Sequence, residues 1–524
     1  MFQKSAFLFL LAGMASAADV NFLILPDEAV APISPYIYGI NDKDPVDTNT
    51  TVRRLGGNRM TGYNWVNNAS NAGNDWKHTS DDWMCAQNLH YTDCDKPGSM
   101  IKQFVEQSQK AGLDSLITVP MSGYVAADKT GEVSEKETAP SPRWKVIKFH
   151  KKGKYTLTPN PKDPIVYEDE FINFLVSTFK KASEGGVKFY NLDNETALWP
   201  STHPRIHPKK TSYWEMRNLS EGLAVNILKV DPTAQIIAPA CYGWNEFTTL
   251  QDAPEAKDLN ATFGSYLDFY LEQMKELEKS HKMRLLHALD LHWYPEAQGG
   301  GKRITENDIS PDCVEARLQA PRSLWDPAYV EKSWITQWST NGKPIQLLTW
   351  MKEKIDKHYP GTKMSFTEYD YGAGDHISGG LAQADVLGIF GKFGVYLATY
   401  WGDLKTYNKA AFKIFRNYDG KNSAFGDTSV SSATDDIIQT SVYASTDTKN
   451  TGALWVLVLN KNQKNPIHGK FKVQGKGLYK TYDSFGFDAK SADIKPGKKG
   501  NFDKDHFDYS LPPLSATLFV CKGQ

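Results

Sequence analysis

Apolar runs alternating with helical segments, then a tail of closely spaced short strands, predict an α/β chain: a (β/α)8 TIM-like barrel with a second, smaller all-β sandwich domain. The alternation argues for a parallel sheet, since parallel neighbours need a crossover that a helix supplies. Eight such units favour a closed barrel over an open sheet, because closure removes both edges. The tail, from about Asp435, carries turn residues between its strands, which is a sandwich pattern.

The barrel strands are expected at Tyr36–Asn41, Arg53–Asn58, Asp114–Pro120, Lys188–Asp193, Gln235–Ala240, Leu286–His292, Met364–Tyr369 and Val395–Tyr400. Segments such as Glu168–Ala182 and Tyr266–His281 have helical patterning between them. Residues 122–165 form an insertion that reads as a long hairpin with a solvated basic tip, from Arg143 to Lys154 and beyond. The sandwich strands are SVYAST, ALWVLVLNKN, KFKVQG, YKTYDSF and SATLFVC, with a turn-rich stretch at Lys495–Gly500. The barrel is assigned to residues 36–430 and the sandwich to 431–524; residues 18–35 hold a strand-like run, Val20–Val30, expected to join the sandwich at its edge.

The first residues have a different purpose. Lys4, an apolar run from Ala6 to Ala12 and then Ala15-Ser16-Ala17 make a secretory signal peptide over residues 1–17, too short to span a bilayer. The expected protein is therefore extracellular. In that oxidising setting Cys85 and Cys94, flanking a short polar loop, are the candidate disulfide among the five cysteines Cys85, Cys94, Cys241, Cys313 and Cys521. Sequons occur at Asn49, Asn68, Asn194, Asn218 and Asn260. With 60 Lys+Arg against 61 Asp+Glu the chain has no basic footprint for nucleic acid, and 25 Tyr, 25 Phe and 14 Trp supply ample core against disorder. Neither a nucleic acid nor a membrane is expected as partner, and nothing in the sequence points beyond a monomer.

Chemistry in such a barrel belongs at the carboxyl ends of its strands. The fourth strand runs out into Asn191-Leu192-Asp193-Asn194-Glu195 and the seventh into Phe366-Thr367-Glu368-Tyr369. Two glutamates facing each other across a barrel mouth are the minimum equipment for glycosidic cleavage, one protonating the leaving oxygen and one acting at the anomeric carbon. Arg59 and Tyr294 are the candidate donors that keep the nucleophilic carboxylate ionised. His292, Tyr369 and Asn194 complete the candidate sugar contacts around them, Asn194 toward the sugar 2-OH, so that its sequon should carry no glycan. Trp401, after the last strand, offers a flat platform for a pyranose. The polar loop Arg53–Asp82, with Tyr63, Asn64, Trp65 and Trp76, reads as polysaccharide subsites outside the core.

These motifs resemble glycoside hydrolase family 44. The resemblance rests on RLGGNRMTGYNW with NNASNAGNDW (Arg54–Trp76), NLDNE (Asn191–Glu195), LHWYPE (Leu291–Glu296), SFTEYDYG (Ser365–Gly372) and LPPLSATLFV (Leu511–Val520). It implies an endo-β-1,4-glucanase or xyloglucanase with a barrel joined to a β-sandwich, retention of anomeric configuration, Glu195 as acid/base and Glu368 as nucleophile. It implies no cofactor for the chemistry. Some members bind calcium, but no Asp-rich ligand spacing places such a structural site here. The basic insertion and the Cys85/Cys94 pair lie outside the family pattern. A xylanase or mannanase on the same scaffold, or a non-catalytic carbohydrate-binding barrel, are the alternatives.

Overall fold

The computed structural model describes residues 18–41, 47–450, 452–477 and 479–523. The signal-peptide segment, residues 1–17, lies outside them. Strand β1 (Ala18–Pro32) comes first. The barrel follows as β2 (Gly39–Ile40), β3 (Val52–Leu55), β4 (Asp114–Val119), β5 (Phe189–Leu192), β6 (Gln235–Cys241), β7 (Ala288–Trp293), β8 (Lys363–Tyr369) and β9 (Leu397–Tyr400). These eight close in the order β5-β6-β7-β8-β9-β2-β3-β4, with every pairing parallel. The principal crossover helices are α1 (Ser99–Lys110), α2 (Glu168–Phe179), α3 (Tyr213–Val230), α4 (Tyr266–His281), α5 (Leu347–His358), α6 (Ile377–Lys392) and α7 (Thr406–Arg416). Local chemistry starts them: Ser212 and Glu215 form a reciprocal capping box on α3, and the Ser265 hydroxyl accepts from Asp268 N on α4.

Among the sequence boundaries that shift, two have a visible local cause. Tyr36–Asn41 is only briefly a strand, because Ser34 caps a 3-10 turn over Pro35–Tyr38 and leaves Gly39–Ile40 to pair. Arg53–Asn58 ends at Leu55, where Gly56-Gly57 turn the chain into the short helix Asn58–Thr61.

The barrel interior is stratified. Val52, Leu116, Phe189, Ile237, Ala288 and Leu397, one from each of six strands, form an apolar plug at the amino-terminal end. Toward the carboxyl end the inward positions become polar, with Arg54, Asn191, Asp290, Ser365 and Thr367 all buried. A buried polar layer survives only if its members satisfy one another, and here it forms the floor of the candidate site.

The insertion is not a hairpin. Trp144–Lys148 pairs antiparallel with Tyr124–Ala126 and parallel with Ile165–Tyr167. Its basic tip is folded down onto the acidic first turn of α2: Lys151 Nζ lies 2.5 Å from Glu170, and Lys151 N and the Tyr155 hydroxyl donate to Asp169. Carboxylates at a helix N-terminus attract cations and donors that would otherwise be solvated.

Beyond the barrel come β10 (Thr428–Thr434), β11 (Thr440–Thr446), β12 (Ala453–Asn460), β13 (Ile467–Val473), β14 (Thr481–Asp488), β15 (Ser491–Pro496), β16 (Gly500–Asn501), β17 (His506–Leu511) and β18 (Ser515–Lys522). They and β1 form a ten-stranded sheet ordered β15-β14-β18-β12-β11-β10-β1-β13-β17, with β16 on β14. The sheet doubles over: Phe519 of β18 and Phe471 of β13 are far apart in strand order, yet their rings are 5.1 Å apart. Strand β1 is not an edge. It pairs antiparallel with β10 on one side and parallel with β13 on the other, because its alternating Val20, Phe22 and Ile24 enter the sandwich core.

Helix α6 joins the two parts. Every residue from Ile377 to Gly391 is buried. Its Gly388 lies so close to the sheet that an added Cβ would sit 2.3 Å from the Tyr443 ring. Within this buried interface Asp385 accepts from the Tyr443 hydroxyl at 2.5 Å and faces Lys461 Nζ at 3.6 Å. Removing the carboxylate strands a buried ammonium, so Asp385→Ala should destabilise the protein by about 3–5 kcal/mol. Thermal unfolding checks this; a loss below about 1 kcal/mol would show that the pair contributes nothing to the interface.

Candidate active site

The site begins with a register fault. Between β7 and β8 the pairing runs Asp290↔Ser365 and then His292↔Glu368, so β8 has one extra residue. Such a bulge breaks strict in-out alternation. Ser365 and Thr367 face Asp290 inside the barrel, while Phe366 packs outward on Phe390. After the bulge Glu368 turns inward and Tyr369 outward, where it too packs on Phe390.

Glu368 is held by Arg54, not by Arg59. The Arg54 guanidinium is wholly buried and donates to Glu368 Oε1 at 2.9 Å. It also donates to Asn191 Oδ1 at 2.8 Å, Asn194 Oδ1 at 2.8 Å and Asn41 Oδ1 at 3.1 Å. The Tyr294 hydroxyl donates to Glu368 Oε2 at 2.8 Å. Burial alone would raise this carboxyl, but the charges on His292 and Arg54 and the hydrogen bonds from Arg54 and Tyr294 outweigh it and hold Glu368 below the usual range.

Glu195 sits opposite, on a backbone that is itself constrained. Asp193 and Glu195 both have left-handed φ, 60° and 45°, an uncommon state for side-chain-bearing residues. Neighbours lock the loop. Asp193 accepts from the Thr61 hydroxyl at 2.5 Å, Met121 N at 2.6 Å and Asn194 N at 2.8 Å. Glu246, fully buried and pushed by burial up to about 7, accepts from Thr196 Oγ1, Ala197 N and Tyr242 N. Burial, with the facing charge of Glu368, raises the Glu195 carboxyl despite its bond to His292. One acid is therefore biased toward the protonated form and the other toward the ionised form.

His292 bridges them. Its Nδ1 lies 2.8 Å from Glu195 Oε1 and 3.5 Å from Glu368 Oε2, and its Nε2 is 3.2 Å from Thr367 Oγ1. Thr367 gives its hydroxyl proton to Asp290 at 2.6 Å, so its oxygen is free to accept from Nε2–H. That fixes the proton on Nε2 and leaves Nδ1 to share one with Glu195.

A cleft of about 890 Å³ adjoins this centre, lined by Asn41, Gly56, Gly57, Arg59, Trp76, Trp83 and Trp401 among others. Trp76, Trp83 and Trp401 are the exposed indoles on its walls. Gly57, at φ 86°, lets Trp401 lie against the backbone; a Cβ there would meet the ring at 2.7 Å.

The structure thus gathers Asn194, His292 and Tyr294 with Glu195 and Glu368, and places Trp401 and Arg59 on the adjoining wall. Arg59 serves Asp81, at 2.5 Å, rather than Glu368. Other candidates move away from the sugar path. Trp65 is buried against Phe171 and Phe174, Asn64 donates to Ala126 O on the strand Tyr124–Ala126 of the insertion, and Tyr369 accepts from Gln383 in the core. Tyr63 is likewise buried, so the loop Arg53–Asp82 contributes core as well as cleft. Two of the five sequon asparagines, Asn68 and Asn194, are also buried. Sequence reasoning missed Arg54, Asp290 and Glu246; the signal for the first two is a charge inside an apolar strand.

Among the described residues, Glu195, His292 and Glu368 are the one grouping of three or more His, Cys, Asp or Glu whose ligand atoms converge, all within 4.8 Å. Calcium takes about six to eight oxygens. Two carboxylates joined by an imidazole and backed by a guanidinium do not fit it.

The sequence profile of glycoside hydrolase family 44 matches residues 69–297. Endoglucanase A of Paenibacillus lautus is 47% identical over 515 residues, 97% of this chain and 73% of the relative. A β-mannanase/endoglucanase A of Caldicellulosiruptor saccharolyticus is 46% identical over 90% of this chain, which spans 36% of that protein. A family 44 xyloglucanase of Paenibacillus polymyxa superposes with a TM-score of 0.94 at 44% identity, over 97% of this chain and all of that one, and its structure with xyloglucan superposes at 0.93.

The two arginines should separate in stability. Arg54→Met leaves a buried carboxylate and three amide oxygens without their guanidinium and is expected to cost about 3–5 kcal/mol; Arg59→Met, in a partly exposed pair, about 1 kcal/mol or less. Urea unfolding of both variants tests the order, and equal losses would contradict it.

Proposed function

The chain belongs to glycoside hydrolase family 44, and on that footing we propose that it is secreted and cleaves internal β-1,4 bonds of glucan chains by a retaining double displacement. It is a glycoside hydrolase of the endoglucanase and xyloglucanase type. The observation that carries the mechanism is the approach of the two carboxylates, with oxygens of Glu195 and Glu368 within 4.8 Å on either side of His292. Retaining enzymes hold their pair about 5–5.5 Å apart, whereas inverting ones leave about 6.5–9.5 Å for a water.

In the first step Glu368 attacks the anomeric carbon while Glu195 delivers its proton to the departing glycosidic oxygen. Glu195 becomes an anion, and His292 Nδ1 is placed to share the proton it next takes up. In the second step Glu195 removes a proton from water, which attacks the glycosyl ester and frees Glu368. Arg54 and Tyr294 keep Glu368 ionised and aimed. No step needs a cofactor. The open, indole-walled cleft suits a polymer, and xyloglucan, bound by the Paenibacillus polymyxa relative, is the first substrate to try. Secretion is supported by the amino-terminal motif at residues 1–17 and by a Cys85–Cys94 disulfide.

The pH profile should be bell-shaped. Activity requires Glu368 ionised, so its lowered pKa carries the acid limb below the usual glutamate range; it requires Glu195 protonated, so its raised pKa extends the alkaline limb upward. Glu368→Ala should lose about 10⁴-fold or more in kcat on xyloglucan. Glu195→Ala should fail on the polymer yet still accept glycosyl from an activated aryl cellobioside, which needs no acid. Proton NMR of the first product should show the β anomer; an initial α anomer would sink the retaining assignment.

A further inference from the structure

We propose that the Cys85–Cys94 disulfide and Lys129 form a brace that positions the Trp83 wall of the cleft for a sugar unit of the polysaccharide, making substrate binding sensitive to reduction. The inference rests on the reading of this cleft as a glucan site. Trp83, Met84, Gln87 and Asn88 line the cleft, and Met84–Asn88 is a single wide turn closed by Leu89 N donating to Met84 O. No strand ladder supports this stretch. Met84, Cys85 and Leu89 anchor it in the core, and Cys85, within the turn, is also bonded to Cys94 nine residues on.

Lys129 ties both ends of the same segment. Its Nζ donates to Cys94 O at 3.1 Å and Asp95 Oδ1 at 2.7 Å, and lies 3.5 Å from Asp82 Oδ2, next to Trp83. One ammonium thus spans the start and the end of a loop that the disulfide also cross-links. On the cleft side the Arg59 guanidinium lies over the Trp83 ring at 4.8 Å while paired with Asp81. With one face of the indole covered by a cation, the brace adds to the core anchors in holding the other face toward the cleft. A sugar stacks on an indole only if the ring is already in place; otherwise binding must order it and loses affinity accordingly.

Neither Glu195 nor Glu368 is among the residues lining this cleft, so the brace should act on binding and not on turnover. The test compares wild-type enzyme before and after mild reduction with Cys85→Ser/Cys94→Ser, Lys129→Met and Trp83→Ala, using xyloglucan. The expected result is a KM raised about fivefold or more by each change, with kcat within about twofold. Trp83→Ala combined with the double serine variant should add little further, because both remove the same contact. An unchanged KM on reduction, a fall in kcat alone, or full additivity with Trp83→Ala would each overturn the proposal. Should the serine variant not fold, the reduced wild-type protein gives the same reading. Calorimetric binding of a xyloglucan oligosaccharide to Glu368→Ala, oxidised and reduced, separates this proposal from the catalytic one: absence of hydrolysis in the wild type would refute the catalytic reading, while a redox-independent Kd would refute the brace.

Discussion

Four oxygens converge on the buried guanidinium of Arg54, and the rest of the site is arranged by that convergence. Asn41, Asn191, Asn194 and Glu368 come from three strands of the barrel wall and their carboxyl ends, β2, β5 and β8, and each is oriented by accepting from the same planar fork. A guanidinium suits this task because its donors are rigid and its charge persists at any working pH. Taking it out of water is costly, and only a full set of acceptors makes its burial tolerable. The polar floor of the barrel is therefore a cooperative unit. Asn191 donates onward to Asp290, which gathers Ser365 and Thr367, and through Thr367 sets the proton on His292.

That chain of contacts explains how two identical carboxyl groups acquire opposite biases. Glu368 lies on the cationic side, facing Arg54 and Tyr294. Glu195 lies against His292, with Glu246 buried behind its loop and Glu368 in front. The difference is produced by placement alone, as in other paired-acid sites where environment divides the roles. The backbone contributes too: the left-handed residues Asp193 and Glu195 and the β8 bulge are departures from regular geometry that aim side chains regular strands would have turned elsewhere.

Much of this was legible in the residues. Eight apolar runs followed by helices disclosed the barrel, and asking which acids sit at strand ends disclosed Glu195 and Glu368. Arg54 was hidden because it lies within a strand, one residue from an outward-facing Arg53, and alternation assigns them only once the inside is known. Arg59, further along, was misjudged because Gly56-Gly57 turn the chain into a helix that carries it toward Asp81. Tyr369 was misplaced by the bulge, which no local pattern announces. The Asn-rich loop misled for another reason. Asn64, Asn67 and Asn71 accept from the backbone of Val66, Ala69 and Gly73, so their polarity shapes the loop itself and is not spent on a ligand.

Strand β1 has its hydrogen-bonded neighbours some four hundred residues away, in β10 and β13. Chains are made from the amino terminus, so this ribbon waits unpaired through the synthesis of the whole barrel. Contacts of such high order are slow to form and cannot guide the early stages of folding. The barrel strands can pair among themselves before β10 and β13 exist, whereas β1 gains its partners only when those late strands arrive, so the sandwich is closed by its most sequence-distant contacts.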